Sequence, residues 1–193
     1  IGKAGTYVLS GELNGNIVIS SSKKDEVVLV LNGVAVECAE DEALLVKKTG
    51  QLTLILADAT ENVLTSGSET QITDTSADDA ADASGGAIHL KTDTVITGNG
   101  SLIVNGYINN GIQCSKSLTI SSGMIAIQAV HHGIKSKDTV IIDGGDISIF
   151  SGADGIHAEE EAAEAVEEVV DAETGEVITE AQEATEAAGT FVM

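Results

Sequence analysis

The chain has 193 residues, 42% of them apolar but only 2% aromatic, with no Pro and no Trp, so one sizeable core has to be built from Ile, Val and Leu. Thirty-one acidic residues face nine Lys and no Arg, and the formal charge of −22 excludes ordinary phosphate-backbone binding, so no nucleic-acid partner is expected. No apolar run approaches the roughly 18 residues of a membrane span, and Cys38 and Cys114 lack the CxxC spacing of zinc-ribbon or thioredoxin sites.

From the N-terminus, AGTYVLSGELNGNIVIS (4–20) and VVLVLNGVAVEC (27–38) alternate apolar and polar residues around Asn-Gly turns, the period-two signature of short strands. A looser copy of the same pattern runs from Glu42 to Gly67. It is followed by a polar and acidic insertion, Ser66 to Ser84, and by a further copy, Gly86 to Gly106. Three regular copies come next: NNGIQCSKSLTISSG from Asn109, HHGIKSKDTVIIDGG from His131 and ADGIHAEE from Ala153, each 22 residues after the last.

Aligned, the copies form columns: Gly111, Gly133 and Gly155; Ile112, Ile134 and Ile156; Leu118 with Val140; Ile120 with Ile142; Gly123 with Gly145; Ile125 with Ile147; Ile127 with Ile149. A second insertion, Glu159 to Ala188, carries 12 acidic residues and no Lys. Its Ala and Glu predict an amphipathic helix over Glu159–Ala172, opposed by like-charge repulsion, with disorder as the other reading. GTFVM then resumes strand character.

A repeat of short strands that cannot bury its own apolar face is the mark of a solenoid, and with no helix between the strands that solenoid is an all-β parallel β-helix with rungs of about 22 residues. An antiparallel β-sandwich also has short strands and regular turns, but gives no reason for residue identity at that interval. The expectation is one β-helix domain over 1–193, truncated at its C-terminal end. An open last rung predicts that the polypeptide continues or that another molecule covers the edge.

The ordered set AGTYVLSGELNGNIVIS, VVLVLNGVAVEC and the NNGI, HHGI and ADGI rungs resembles the bacterial carbohydrate-binding domain family of polysaccharide-lyase-like β-helices, from Thr6 to about Glu160. The resemblance implies a right-handed coil like that of pectate lyases, exported and displayed at the cell surface. It also implies Ca²⁺ held by acidic turn residues, and binding of plant cell-wall polysaccharides including acidic pectin. No signal-peptide pattern is visible in a chain starting at Ile1.

The column before the repeated Gly reads Asn110, His132, Asp154, where the family shows Asn or Asp. Oxygen-bearing turn residues suit Ca²⁺, which takes about six to eight oxygens. Asp154, with Glu159 or Glu160 just beyond, is the leading ligand candidate, while His132 departs from the pattern and is a poor calcium ligand. Asp138 and Glu160 belong to a second column, where neighbouring carboxylates repel unless a cation or proton lies between them. Asp78, Asp79 and Asp82 in the first insertion offer another site, without EF-hand spacing. In every case the bland alternative is that Asn and Asp only make the turns. His131 and His132 on a strand would point to opposite faces, so the histidine spacing promises no convergent zinc ligands.

Three functions follow. The first is a noncatalytic, calcium-bound extracellular module in which Ca²⁺ bridges an anionic protein to polygalacturonate; neutral cellulose is less favoured because aromatic platforms are few. The second is a structural unit that self-associates end to end into a filament. The third is a lyase with Lys135, in a column with His89, Gln113 and His157, as the base beside calcium.

Overall fold

The computed structural model describes residues 1–69 and 85–159 in full, and 160, 166–170, 177–181, 187–188 and 191–192 as backbone strands. Along the chain the strands fall into successive rungs: β1 (Gly5–Asn14) and β2 (Ile17–Ser20); β3 (Glu26–Cys38) and β4 (Leu44–Lys48); β5 (Gln51–Leu56), β6 (Glu61–Ser66) and β7 (Gly86–Leu90). Then come β8 (Thr94–Gly98), β9 (Ser101–Gly106) and β10 (Asn110–Cys114); β11 (Leu118–Ile120), β12 (Met124–Ala129) and β13 (Ile134–Ser136); β14 (Val140–Ile142), β15 (Asp146–Ser151) and β16 (Ile156–Glu160). The result is a parallel β-solenoid of about six turns.

Each rung stacks on the last in three parallel ladders. The first half of β3 continues through β5, β8, β11 and β14; its second half continues through β6, β9, β12 and β15; and β2, β4, β7, β10, β13 and β16 make the third. β1 pairs with β3 along both halves. Alternation aims every second residue inward, so Leu29, Leu54, Ile96 and Ile120 form one fully buried column. Leu44, Ile88, Ile112 and Ile134 form another. Each such side chain removed from water contributes about 1.5–3 kcal/mol, and aliphatic columns can supply it because a like residue always lies one strand spacing away. The 22-residue interval is the register itself: Ile112 pairs with Ile134, and Ile134 with Ile156.

The two glycine columns have different causes. Gly123 and Gly145 sit at φ +113° and +99°, which L side chains rarely adopt. Gly133 instead lies under the next rung, where an added Cβ would fall 2.3 Å from Ile149 Cγ2 and 2.6 Å from the Gly155 carbonyl oxygen, whereas Gly155 has nothing within 4 Å. Gly133→Ala is therefore expected to lose about 2–3 kcal/mol to overpacking, and Gly155→Ala less than about 0.5 kcal/mol, in urea unfolding of the two variants side by side.

The helix expected over Glu159–Ala172 does not form. Val166–Val170 is a strand, β17, paired antiparallel with β18 (Val177–Ala181). The β-branched residues of VEEVV and VITEA favour extended backbone, and stacked like charges weaken a helix. β19 (Ala187–Ala188) pairs antiparallel with Glu159–Glu160, and β20 (Phe191–Val192) stacks on β14, so the acidic excursion leaves and rejoins the coil at its last rung. Asp78, Asp79 and Asp82 lie outside the described residues. Both cysteines are free thiols.

Candidate functional site

On the ladder of β6, β9, β12 and β15, residues that alternate with the core point outward. Thr65, Asn105, Gln128 and Phe150 stand in one register column. Val63, Ile103, Ala126 and Ser148 stand in the next. Between them runs a shallow groove of about 300 Å³, lined by Ile103, Asn105, Ala126, Gln128, Ser148 and Phe150. The amide of Asn105 donates to Thr65 Oγ1 at 3.1 Å, which fixes its rotamer. Phe150 is 74% exposed at the end of the column. Amide donors and acceptors repeated at about 4.8 Å, with an exposed aromatic face at one end, can meet the hydroxyls and apolar ring faces of an extended sugar chain.

The ligand positions read from the repeat are not gathered into one oxygen-rich centre. The Asn110 side chain is spent within the turn: its Nδ2 donates to the Gly85 carbonyl and Gln113 Oε1 at 3.0 and 3.1 Å, and its Oδ1 accepts from the His132 amide at 3.1 Å. Asp138 accepts from the hydroxyls of Ser117 and Thr139 at 3.2 and 3.0 Å. The pairing of β13 with β16 runs from Ile134 with Ile156 to Ser136 with Ala158, and the Glu160 side chain lies outside the described residues.

Asp154 and Glu159 do converge, around histidine. His157 Nδ1 lies 2.9 Å from Asp154 Oδ2 and its Nε2 3.0 Å from Glu159 Oε1. Lys135 Nζ reaches the same Glu159 oxygen at 3.1 Å, so its ammonium is held in an ion pair. The column expected for Lys135 is present, with Gln113 and His157 as its neighbours and His89 one rung further. Burial raises the Glu159 carboxyl, but Lys135 and His157 together bring it below the usual range. His132 lies in a bend rather than a strand; its ring meets His131 edge-on at 3.9 Å and stacks on His157 at 4.6 Å. Burial pushes the His132 imidazole down to about 4, helped by the two neighbouring histidines and opposed by Asp154.

A small pocket with three acidic residues forms where the repeat pointed to no ligand. Glu40, Asp41, Glu42, Ser66, Gly85, Gly86, Ile108 and Asn109 line about 70 Å³ beside the start of β7, and Glu42 Oε1 lies 2.9 Å from His89 Nδ1. Ser66 is 2% exposed, and its Oγ is buried without a hydrogen-bond partner. A Cβ on Gly85 would fall 2.8 Å from Glu42 Oε1, so glycine there admits the carboxylate. The Glu42 side chain and then its backbone N–H, 2.9 Å from Asp41 Oδ1, hold the Asp41 carboxyl below its ordinary value. The carboxylates of Glu40 and Asp41 are of the kind a hard cation such as Ca²⁺ takes, whereas Asp154 stands among imidazole nitrogens. The AEDE run at 39–42 was the available signal, but it lies outside the regular repeat.

The profile of the carbohydrate-binding domain-containing protein family matches residues 1–193. A carbohydrate-binding domain-containing protein of Acetivibrio thermocellus is 38% identical over 130 residues, which are 67% of this chain and 44% of the relative. A solved structure, the polysaccharide lyase-like protein from C. thermocellum as a gadolinium derivative, matches with a TM-score of 0.74 and 36% identity, over 85% of this chain and 64% of that one. The chain thus spans less than two-thirds of the length of either relative.

Proposed function

We propose that this chain, which belongs to the carbohydrate-binding domain-containing protein family, is a noncatalytic extracellular module that lays an extended cell-wall polysaccharide along the β6–β9–β12–β15 face. The observation that carries this reading is the column Asn105, Gln128, Phe150, with buried Thr65 behind Asn105, beside the shallow groove they line. Ser66, next to Thr65 at one end of the column, lines the acidic pocket. Calcium at Glu40, Asp41 and Glu42 would put positive charge beyond that end of the column. Polygalacturonate is therefore the polymer class, its carboxylates bridged to the protein by Ca²⁺.

Affinity electrophoresis in polygalacturonate gels tests this. Retardation is expected with calcium and is expected to disappear with a chelator. Phe150→Ala should weaken retention roughly three- to tenfold, the worth of one aromatic contact. Mobility unchanged in both gels would overturn the pectin reading. The exposed Phe150 favours a second reading, a neutral glucan, whose mark is calcium-independent retention on cellulose. A lyase would instead raise ultraviolet absorbance through unsaturated product, in a manner lost with Lys135→Ala.

A further inference from the structure

We propose that His132, Asp154 and His157 form a binding site for one divalent transition-metal ion of the zinc class, separate from the acidic pocket and from the groove. One ligand atom from each residue lies within 4.8 Å of the other two. Ligand atoms around a tetrahedral zinc lie about 3.3 Å apart, as bonds of about 2.0 Å require. Two of the pairs are already near that value: His132 Nδ1 to Asp154 Oδ2 at 3.4 Å and His157 Nδ1 to the same oxygen at 2.9 Å.

The independent sign is His132 itself. The residue is 7% exposed, and its Nδ1 is buried without a hydrogen-bond partner although it faces a carboxylate oxygen. With the His132 proton on Nε2, the imidazole nitrogen and the carboxylate oxygen at that separation set lone pair against lone pair. A cation between them turns the repulsion into coordination, and removes an orphaned buried acceptor that would otherwise cost about 1–3 kcal/mol.

The surroundings supply what such a site needs. A neutral imidazole has one N–H, so His157 can donate to one of its two carboxylate neighbours and not both. With a metal on Nδ1, the Nε2–H donates to Glu159, and Glu159 is itself held by Lys135. That chain of contacts fixes the ring and raises its basicity, as carboxylates behind metal-bound histidines do. Two imidazoles and one carboxylate favour zinc-class ions over calcium or magnesium. The Asp154 side chain is 60% exposed, which leaves the fourth position to solvent.

Cobalt(II) titration of the metal-free protein in excess Ca²⁺, followed by visible absorption, tests the site. The calcium occupies the carboxylates of this acidic chain and leaves nitrogen ligands free. The expected result is one equivalent bound with a four-coordinate spectrum, displaced by Zn²⁺, together with a rise in the thermal midpoint. Affinity is expected to fall at least tenfold in His132→Gln and His157→Gln, and roughly 10- to 100-fold in Glu159→Gln, which touches no metal. If the buried His132 variant fails to fold, His157→Gln decides, because that side chain is 34% exposed. Absence of saturable cobalt binding in the unaltered protein, or affinity unchanged in His157→Gln, would overturn the proposal.

Discussion

Replacing Asn62 by Leu is expected to destabilise the fold by about 3–5 kcal/mol, a large part of the stability of a domain of this size. Asn62 is fully buried in β6, at a position where alternation predicts an aliphatic residue. Its Oδ1 accepts from the backbone N–H groups of Gly33 and Val34 at 2.9 and 3.1 Å, where β3 turns from one face of the coil to the next. Its Nδ2 donates to Thr60 Oγ1 and to the Ser101 carbonyl at 3.2 and 3.0 Å. One side chain thus ties three successive rungs. Leu fits the volume but strands the buried Val34 N–H and leaves the part-buried Gly33 N–H and Ser101 carbonyl without their partner, a loss of about 1–3 kcal/mol for each group that water does not reach. Urea unfolding should show a lower midpoint with an unchanged slope; a loss below about 1 kcal/mol would mean that water satisfies the corner.

The second large effect concerns Cys114. Its side chain is fully buried between stacked rungs, and burial pushes the thiol up to about 12, against a weaker opposing hydrogen bond from the Lys116 backbone. Only the thiolate reacts, so near pH 8 native Cys114 should alkylate on the order of a thousandfold more slowly than in the unfolded chain, with half-buried Cys38 as the internal reference. The linkage has a definite sign. Above about pH 9 the unfolded chain releases this proton while the folded chain keeps it, so stability falls with rising pH, by at most about 1.4 kcal/mol per pH unit from this group. Mass spectrometry after timed alkylation reads the first effect. Equal labelling of both cysteines in native protein would contradict the burial.

The coil was legible in the sequence because its two periods reinforce each other. Alternation marked the inward residues, and the 22-residue identity of Ile112, Ile134 and Ile156 marked the stacking. The groove was not legible. Its column reads Thr65, Asn105, Gln128, Phe150, four unlike residues whose alignment appears only once register is known. The histidine cluster escaped for a different reason. Strand alternation separates His131 from His132, but a bend holds both, so the rule had no purchase there. The hydrogen bonds that the Asn110 and Asp138 side chains make to the neighbouring rung were not legible either, because they join residues 22 and 21 apart whose contact appears only once the rungs are stacked. The helix expectation over 159–172 gave Ala and Glu more weight than the paired valines, which won.

The spacing between stacked partners is not uniform, and that bears on how the chain assembles. Among β1 to β6, before the first insertion, partners are 22 to 28 residues apart, as in Gly5 with Val27 and Val36 with Leu64. Among β7 to β16, after it, they are 22 to 24 apart, as in Ile88 with Ile112 and Ile134 with Ile156. Across the seam between these blocks, Leu52 meets Thr94 and Leu44 meets Ile88, at separations of 42 and 44. Doubling a loop adds only about 0.6 kcal/mol to its closure, too little to weaken the finished coil but enough to order events. Each block can zip by itself while the seam closes last, and until then each shows an open ladder of matching register. An edge of that kind accepts the same block from a second molecule as readily as from its own chain. Refolding at high concentration therefore favours exchanged pairs, in which the first half of one chain docks on the second half of another.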